Sequence, residues 1–118
     1  MAKILIADDA AFMRMKSASL VKELGHDVVE AEDGAQAVEM YKSESPDAVL
    51  MDITMPNMDG MEALQAILKL DPKAKVAMVT AMGQQQVIME AIKAGAKDFV
   101  VKPFDADRIQ SALWKLVG

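Results

Sequence analysis

Apolar positions along this chain fall into two alternating patterns. Short stretches dominated by apolar residues recur over Lys3–Ala7, Asp27–Ala31, Ala48–Met51, Lys75–Thr80 and Asp98–Val101. Most are continuous rather than alternating, as expected of parallel strands covered on both faces. Between them the period changes to that of a helix. Met13, Leu20, Val21 and Leu24 share one face of a first helix, and Val38 and Tyr41 share one of a second. Leu64, Ile67 and Leu68 do so in a third, Ile88, Ala91 and Ile92 in a fourth, and Ile109, Ala112, Leu113 and Leu116 in a fifth. Gly25 and Gly95 fall just past helix ends, where a left-handed residue closes the last turn. Pro46 and Pro72 punctuate the approaches to the third and fourth strands.

Repeated strand–helix units need right-handed crossovers, and these build an open parallel sheet with helices on both sides. The predicted class is therefore α/β. The 118 residues suit one domain, expected over residues 1–118. No linker, repeat or low-complexity stretch divides them.

Composition removes several function classes. Hydrophobic residues make up 53% of the chain, enough for a core. No apolar run approaches the roughly 20 residues of a membrane helix. Asp8 and Asp9 interrupt the first apolar run before a signal-peptide core can form. Cys is absent, which excludes disulfides and thiolate metal sites. A cytoplasmic protein without membrane insertion is expected. The net charge is -5 and the basic residues are interspersed with acids, so direct nucleic-acid binding is not expected. The 11 methionines suit both core positions and adaptable partner surfaces.

The chemistry lies at the strand ends. The first strand is followed by Asp8-Asp9 and the third by Asp52; the fourth ends in Thr80, and the fifth is followed by Lys102. In a parallel sheet these ends share one edge, the edge outside which ligands bind in open α/β folds. Three clustered carboxylates resist simultaneous ionisation. A hard divalent cation relieves that conflict, and Mg²⁺ favours carboxylate, water and phosphate oxygens. The acids thus suggest a Mg²⁺ site around a phosphoryl group, with Mn²⁺ as a substitute. A carboxylate can attack phosphorus to form an acyl phosphate. Catalysis of such a transfer is mostly positioning and electrostatics. Lys102 would supply positive charge and Thr80 a hydrogen bond. Each residue has a plainer alternative: Asp8-Asp9 as helix caps, Asp52 as a turn residue, Lys102 and Thr80 as ordinary strand-end groups. Only the shared edge favours the joint site. His26, the single histidine, follows Gly25 in a loop, so a Ser-His-Asp hydrolase is poorly supported. No glycine-rich phosphate loop of standard spacing is present among the 6 glycines.

Taken together, Ile6-Ala7-Asp8-Asp9, Met51-Asp52-Ile53-Thr54-Met55-Pro56 with Met58-Asp59-Gly60, Thr80-Ala81, Gly95-Ala96 and Lys102-Pro103-Phe104 resemble the response-regulator receiver family. The resemblance spans essentially the whole chain and is strongest to the family's stand-alone chemotaxis members. It implies a flavodoxin-like (βα)5 three-layer sandwich with strand order 2-1-3-4-5. It implies that Asp52 is the phosphoacceptor. Asp9, Asp52 and the backbone carbonyl of Thr54 would hold Mg²⁺, and Asp8 would act through a bound water. Lys102 would contact the phosphoryl group, and Thr80 would move toward it. The Lys102–Pro103 peptide would be cis.

The chain departs from the family's pattern at three positions. Phe99 stands where an aromatic switch residue, often Tyr, is found, so a switching step that needs a phenol hydroxyl is lost. Thr54 replaces a residue that is often Asn, and Met82 occupies another variable position, where its apolar bulk would slow water attack. The resemblance further implies a sensor histidine kinase as phosphodonor partner and output through the face of the fourth helix, fifth strand and fifth helix. Asp9-Ala10-Ala11-Phe12-Met13-Arg14 points to a chemotaxis target such as a flagellar motor switch protein. The end of the chain at Gly118 leads us to expect a free-standing regulator, with an isolated receiver of a larger regulator as the alternative. The rival classes are a small Mg²⁺-dependent phosphatase, a chemically inert interaction module and a flavin carrier. The signalling reading carries no turnover beyond slow self-catalysed phosphorylation and dephosphorylation.

Overall fold

A computed structural model describes residues 2–81, 84–102 and 104–118. The elements run β1 (Lys3–Ala7), α1 (Ala11–Glu23), β2 (Asp27–Ala31), α2 (Gly34–Glu44), β3 (Ala48–Asp52), α3 (Gly60–Leu70), β4 (Val76–Thr80), α4 (Gln85–Ala94), β5 (Asp98–Val101) and α5 (Ala106–Val117). The strands are all parallel and ordered β2-β1-β3-β4-β5, the expected flavodoxin-like arrangement.

Why the apolar runs are continuous is now visible. Successive side chains of a strand point to opposite faces, and each face has its own helical cover. Leu5, Val49, Met51, Val76 and Met78 pack with Ala37 and Val38 of α2, Leu64 and Ile67 of α3, and Ala91 of α4. Ile4, Ile6, Leu50, Ala77, Val79 and Val100 pack on the other side with Ala18 and Val21 of α1 and with Ile109, Leu113 and Leu116 of α5. The result is three layers with the sheet in the middle. Among the described residues, no helix is long and apolar enough to cross a membrane.

Three sequence expectations shift. β3 continues to Asp52, because that residue still pairs with Val79. β4 starts at Val76; Lys75 contributes only its carbonyl, which accepts from the Val49 N–H at 2.9 Å. Ile92, expected on the buried face of α4, is 43% exposed. Ala91 is the buried residue of that helix, so α4 rests on the sheet along a narrow line and leaves Met89 and Ile92 in solvent.

Helix starts fix the loops that surround the sheet's carboxyl edge. Asp59 and Glu62 form a reciprocal capping box at α3, and the Asp33 carboxylate accepts from the Gln36 N–H at α2. Gly60 lies so close to the end of β3 that an added Cβ would sit 2.1 Å from the Asp52 carbonyl oxygen. Gly34 is equally confined, 2.1 Å from the Met58 carbonyl oxygen by the same construction. Gly60 N–H donates to the Ile53 carbonyl at 2.7 Å, and Asn57 Nδ2 donates to Asp33 Oδ2 at 2.8 Å. The segment after Asp52 is therefore folded tightly back and tied to α2.

Candidate functional site at the carboxyl edge of the sheet

Asp8 follows β1, Asp52 closes β3, Thr80 closes β4 and Lys102 follows β5, all on one edge. Asp8 and Asp52 are buried, at 4% and 7% exposure, whereas Asp9 is exposed. One carboxylate oxygen from each of Asp8, Asp9 and Asp52 can be chosen so that all three lie within 4.8 Å of one another. Lys102 belongs to the fifth strand's edge yet reaches across β4. Its Nζ donates to Asp52 Oδ2 at 3.1 Å and to Asp8 Oδ2 at 3.3 Å. Its own backbone is pinned by a 2.7 Å bond from Lys102 N–H to the Thr80 carbonyl.

The electrostatics follow from this crowding. Burial pushes the Asp52 carboxyl above its ordinary range; the Lys102 ammonium opposes that push, and the Asp8 carboxylate adds to it. Burial works to lower the Lys102 pKa, but hydrogen bonds and charge from Asp52 and Asp8 outweigh it and the net direction is upward. One ammonium thus holds two buried acids, with a third acid at the rim. The chemistry of this donor set fits a hard divalent cation: several carboxylate oxygens converge, and no softer ligand is among them.

The sequence-predicted residues are placed as follows. The plainer part foreseen for Asp8, a cap on α1, is not what it plays: the N-cap is Ala10 without a side-chain cap bond, and Asp8 Oδ1 accepts instead from the Ala10 N–H at 2.9 Å, ahead of the helix. Thr54 is exposed in the loop two residues beyond Asp52. Thr80 is fully buried, and its Oγ1 lies 2.6 Å from Gln84 Oε1 and 3.1 Å from the Ala81 carbonyl. Phe99 is 37% exposed on β5, beside a groove of about 480 Å³ that Gln84, Ile88, Met89 and Val101 also line. The expected cis Lys102–Pro103 peptide and the expected effect of Met82 lie outside the described residues.

Sequence reasoning missed three contributors. Arg14 on α1 donates from Nη1 to the Asp8 carbonyl at 2.7 Å and from Nε to Glu30 Oε1 at 3.1 Å, fixing the loop that carries the acids. Gln84 engages Thr80. Asp98 is buried at the start of β5, with Arg108 Nη2 at 3.6 Å and Lys115 Nζ at 3.7 Å from its Oδ2. A charged residue opening an apolar strand was the only hint of the last, and periodicity contains no hint of the other two.

Comparison with known proteins matches this geometry to a family. The family model described as "Response regulator receiver domain" matches residues 4–114. The chain is 58% identical over 117 residues to "Chemotaxis protein CheY" of Bacillus subtilis (strain 168), covering 98% of each chain. It is 53% identical over 115 residues to the protein of the same name in Thermotoga maritima, covering 97% of this chain and 96% of that one. Among solved structures, a chain from the CheX-CheY-BeF3-Mg+2 complex of Borrelia burgdorferi superposes with a TM-score of 0.92 at 34% identity, over 98% of this chain and 89% of that one. With a matching family model, close relatives over nearly its whole length and the expected strand order, this chain belongs to the response regulator receiver domain family.

Proposed function

We propose that this protein is a chemotaxis-type response regulator that accepts a phosphoryl group on Asp52 and signals by presenting an altered surface to a protein target. The observation that carries the reading is the convergence of Asp8, Asp9 and Asp52 oxygens within 4.8 Å, with the Lys102 ammonium 3.1 Å from Asp52.

In the forward step an Asp52 carboxylate oxygen attacks phosphorus of a phosphohistidine on a partner kinase, or of a small acyl phosphate. The new O–P bond forms as the donor's N–P or O–P bond breaks. The electron pair leaves on the imidazole nitrogen or the acyl oxygen. Asp9, Asp52, the Thr54 carbonyl and, through water, Asp8 would hold Mg²⁺, or Mn²⁺ in its place. When bound, that cation supplies positive charge to the phosphoryl oxygens. Lys102 exchanges its contacts with the two acids for a phosphoryl oxygen. Thr80 donates its hydroxyl to another.

The partners follow from relatives. The kinase reading rests on the family, and that of a protein target rests on the Borrelia relative, which was solved with CheX, BeF3 and Mg. Names of relatives at 53–58% identity support chemotaxis, and a flagellar motor switch protein as target and action in the cytoplasm extend that reading. The output face is α4, β5 and α5, where Phe99 and Met89 are exposed beside the groove. A shift from about 1:99 to 99:1 between resting and active forms needs roughly 5.5 kcal/mol of preferential interaction with the active form. Few phosphoryl contacts are available among the described residues, so the phosphorylated protein switches only partly until its target binds.

Intact-mass measurement after exposure to acetyl phosphate tests the reading. A phosphoryl adduct is expected on the parent only with Mg²⁺ present, and none on Asp52→Asn. An equal adduct on the variant, or one indifferent to Mg²⁺, would overturn it.

A further inference from the structure

Gln84 is the N-cap residue of α4, yet its side chain does not cap that helix. It turns back toward β4. Its Oε1 accepts from the Ala81 N–H at 2.8 Å and lies 2.6 Å from Thr80 Oγ1. The Ala81 contact identifies the atom chemically: a backbone N–H can only donate, so the side-chain atom it meets is the carbonyl oxygen, not the amide nitrogen. That oxygen has no proton to give, so Thr80 must be the donor. A hydroxyl carries one proton. At 2.6 Å, against 3.1 Å to the Ala81 carbonyl, Gln84 holds that proton.

We infer that Gln84 is a positioning residue that restrains Thr80 in the resting form, and so sets how readily the protein switches. The inference rests on the Asp52 reading above. For Thr80 to donate to a phosphoryl oxygen, its proton must leave Gln84. Thr80 is fully buried, so water cannot stand in as the acceptor during the exchange. After release, Gln84 Oε1 keeps the Ala81 N–H but loses its second donor, which frees the side chain at the first turn of α4. Gln84 also lines the groove shared by Ile88, Met89 and Phe99. The same residue thus joins the hydroxyl that senses phosphate to the surface that would meet the target. It opposes activation, and its removal favours the active form.

The test uses beryllofluoride with Mg²⁺ as the phosphoryl mimic, titrated into the full chain and followed by backbone amide NMR. Gln84→Ala and the length-preserving Gln84→Met should each bind the mimic more tightly, by roughly two- to twelvefold for one hydrogen bond lost from the resting form. Gln84→Glu retains an acceptor oxygen, and a stronger one as a carboxylate, so it should bind the mimic no more tightly than the parent. In a Thr80→Val background, Gln84→Ala should change nothing, because the restrained proton is gone. Unchanged or weaker binding by both Gln84→Ala and Gln84→Met overturns the inference. So does an equal tightening in the Thr80→Val background, which would place the effect in α4 alone. A parent that fails to bind beryllofluoride with Mg²⁺ overturns the Asp52 reading itself, an outcome distinct from either of these.

Discussion

At the scale of single residues, Lys102 decides how the acid cluster tolerates itself. Its side chain is 23% exposed and touches the Asp8 and Asp52 side chains, which are 6% and 10% exposed. Without a cation, removing the ammonium leaves two buried carboxylates facing one another. Lys102→Met should therefore lose about 1–3 kcal/mol of stability in chelator, the cost of stranding buried polar partners. Saturating Mg²⁺ should recover much of that loss by supplying the missing charge. Urea unfolding with and without Mg²⁺ measures both; an identical deficit in the two conditions would contradict this account. Asp52, Thr80 and Lys102 were legible in the sequence because each is a reactive residue type at the end of an apolar run, and parallel strands bring such ends together. Arg14 and Gln84 were not legible. Each acts by the reach of a long side chain toward backbone or hydroxyl atoms, and neither spacing nor hydropathy encodes that reach. Ile92 misled for a related reason: helical period assigns a face, while the width of the buried stripe depends on how closely the helix sits on the sheet.

At the scale of elements, two close fits matter, one beside the site and one at the opposite edge of the sheet. The first is α3 against β3. A Cβ at position 60 would meet the Asp52 carbonyl oxygen at 2.1 Å and the Ile53 Cα at 2.8 Å, both backbone atoms that cannot swing aside. Gly60→Ala should therefore destabilise the fold by at least about 2 kcal/mol, in the upper range for single substitutions, despite the better helix propensity of Ala. A urea midpoint equal to the parent's would contradict it. The second fit ties α2 to the segment before β4, where Tyr41 Oη donates to Asp71 Oδ2 at 2.8 Å. Burial, then the hydrogen bond and charge of Asp71, push the Tyr41 phenol up to about 12. Since the folded value exceeds the ordinary one, this contact contributes fully below pH 10 and is lost as pH rises through about 12. Tyr41 is the single tyrosine, so its ultraviolet titration is unambiguous. A midpoint near 10 would show the contact absent. Tyr41→Phe should cost about 1 kcal/mol at neutral pH. Strand positions were readable to within a residue because both faces of the sheet are covered and most of the apolar runs are unbroken. The fold-back after Asp52 was not, since it depends on Gly60, Gly34 and Asn57 meeting partners distant in sequence.

At the scale of the molecule, the alternation of strand and helix pointed to a parallel α/β sheet with two helical layers. It did not order the strands, because right-handed crossovers are compatible with more than one winding. That order came from resemblance, and the structure bears it out. Its consequence is functional. β1 and β3 are neighbours, which places Asp8 and Asp9 beside Asp52, and β4 separates them from Lys102, whose length spans the gap. The central claim is that this arrangement lets one particular acid carry phosphorus. Chemical trapping tests it most directly: acyl phosphate formed with acetyl phosphate and Mg²⁺ is reduced by borohydride, which converts the phosphorylated aspartate to homoserine, and peptide sequencing locates it. The account predicts homoserine at position 52 and at no other acid; homoserine at Asp8 or Asp9, or none in a protein that has gained the phosphoryl mass, would contradict it.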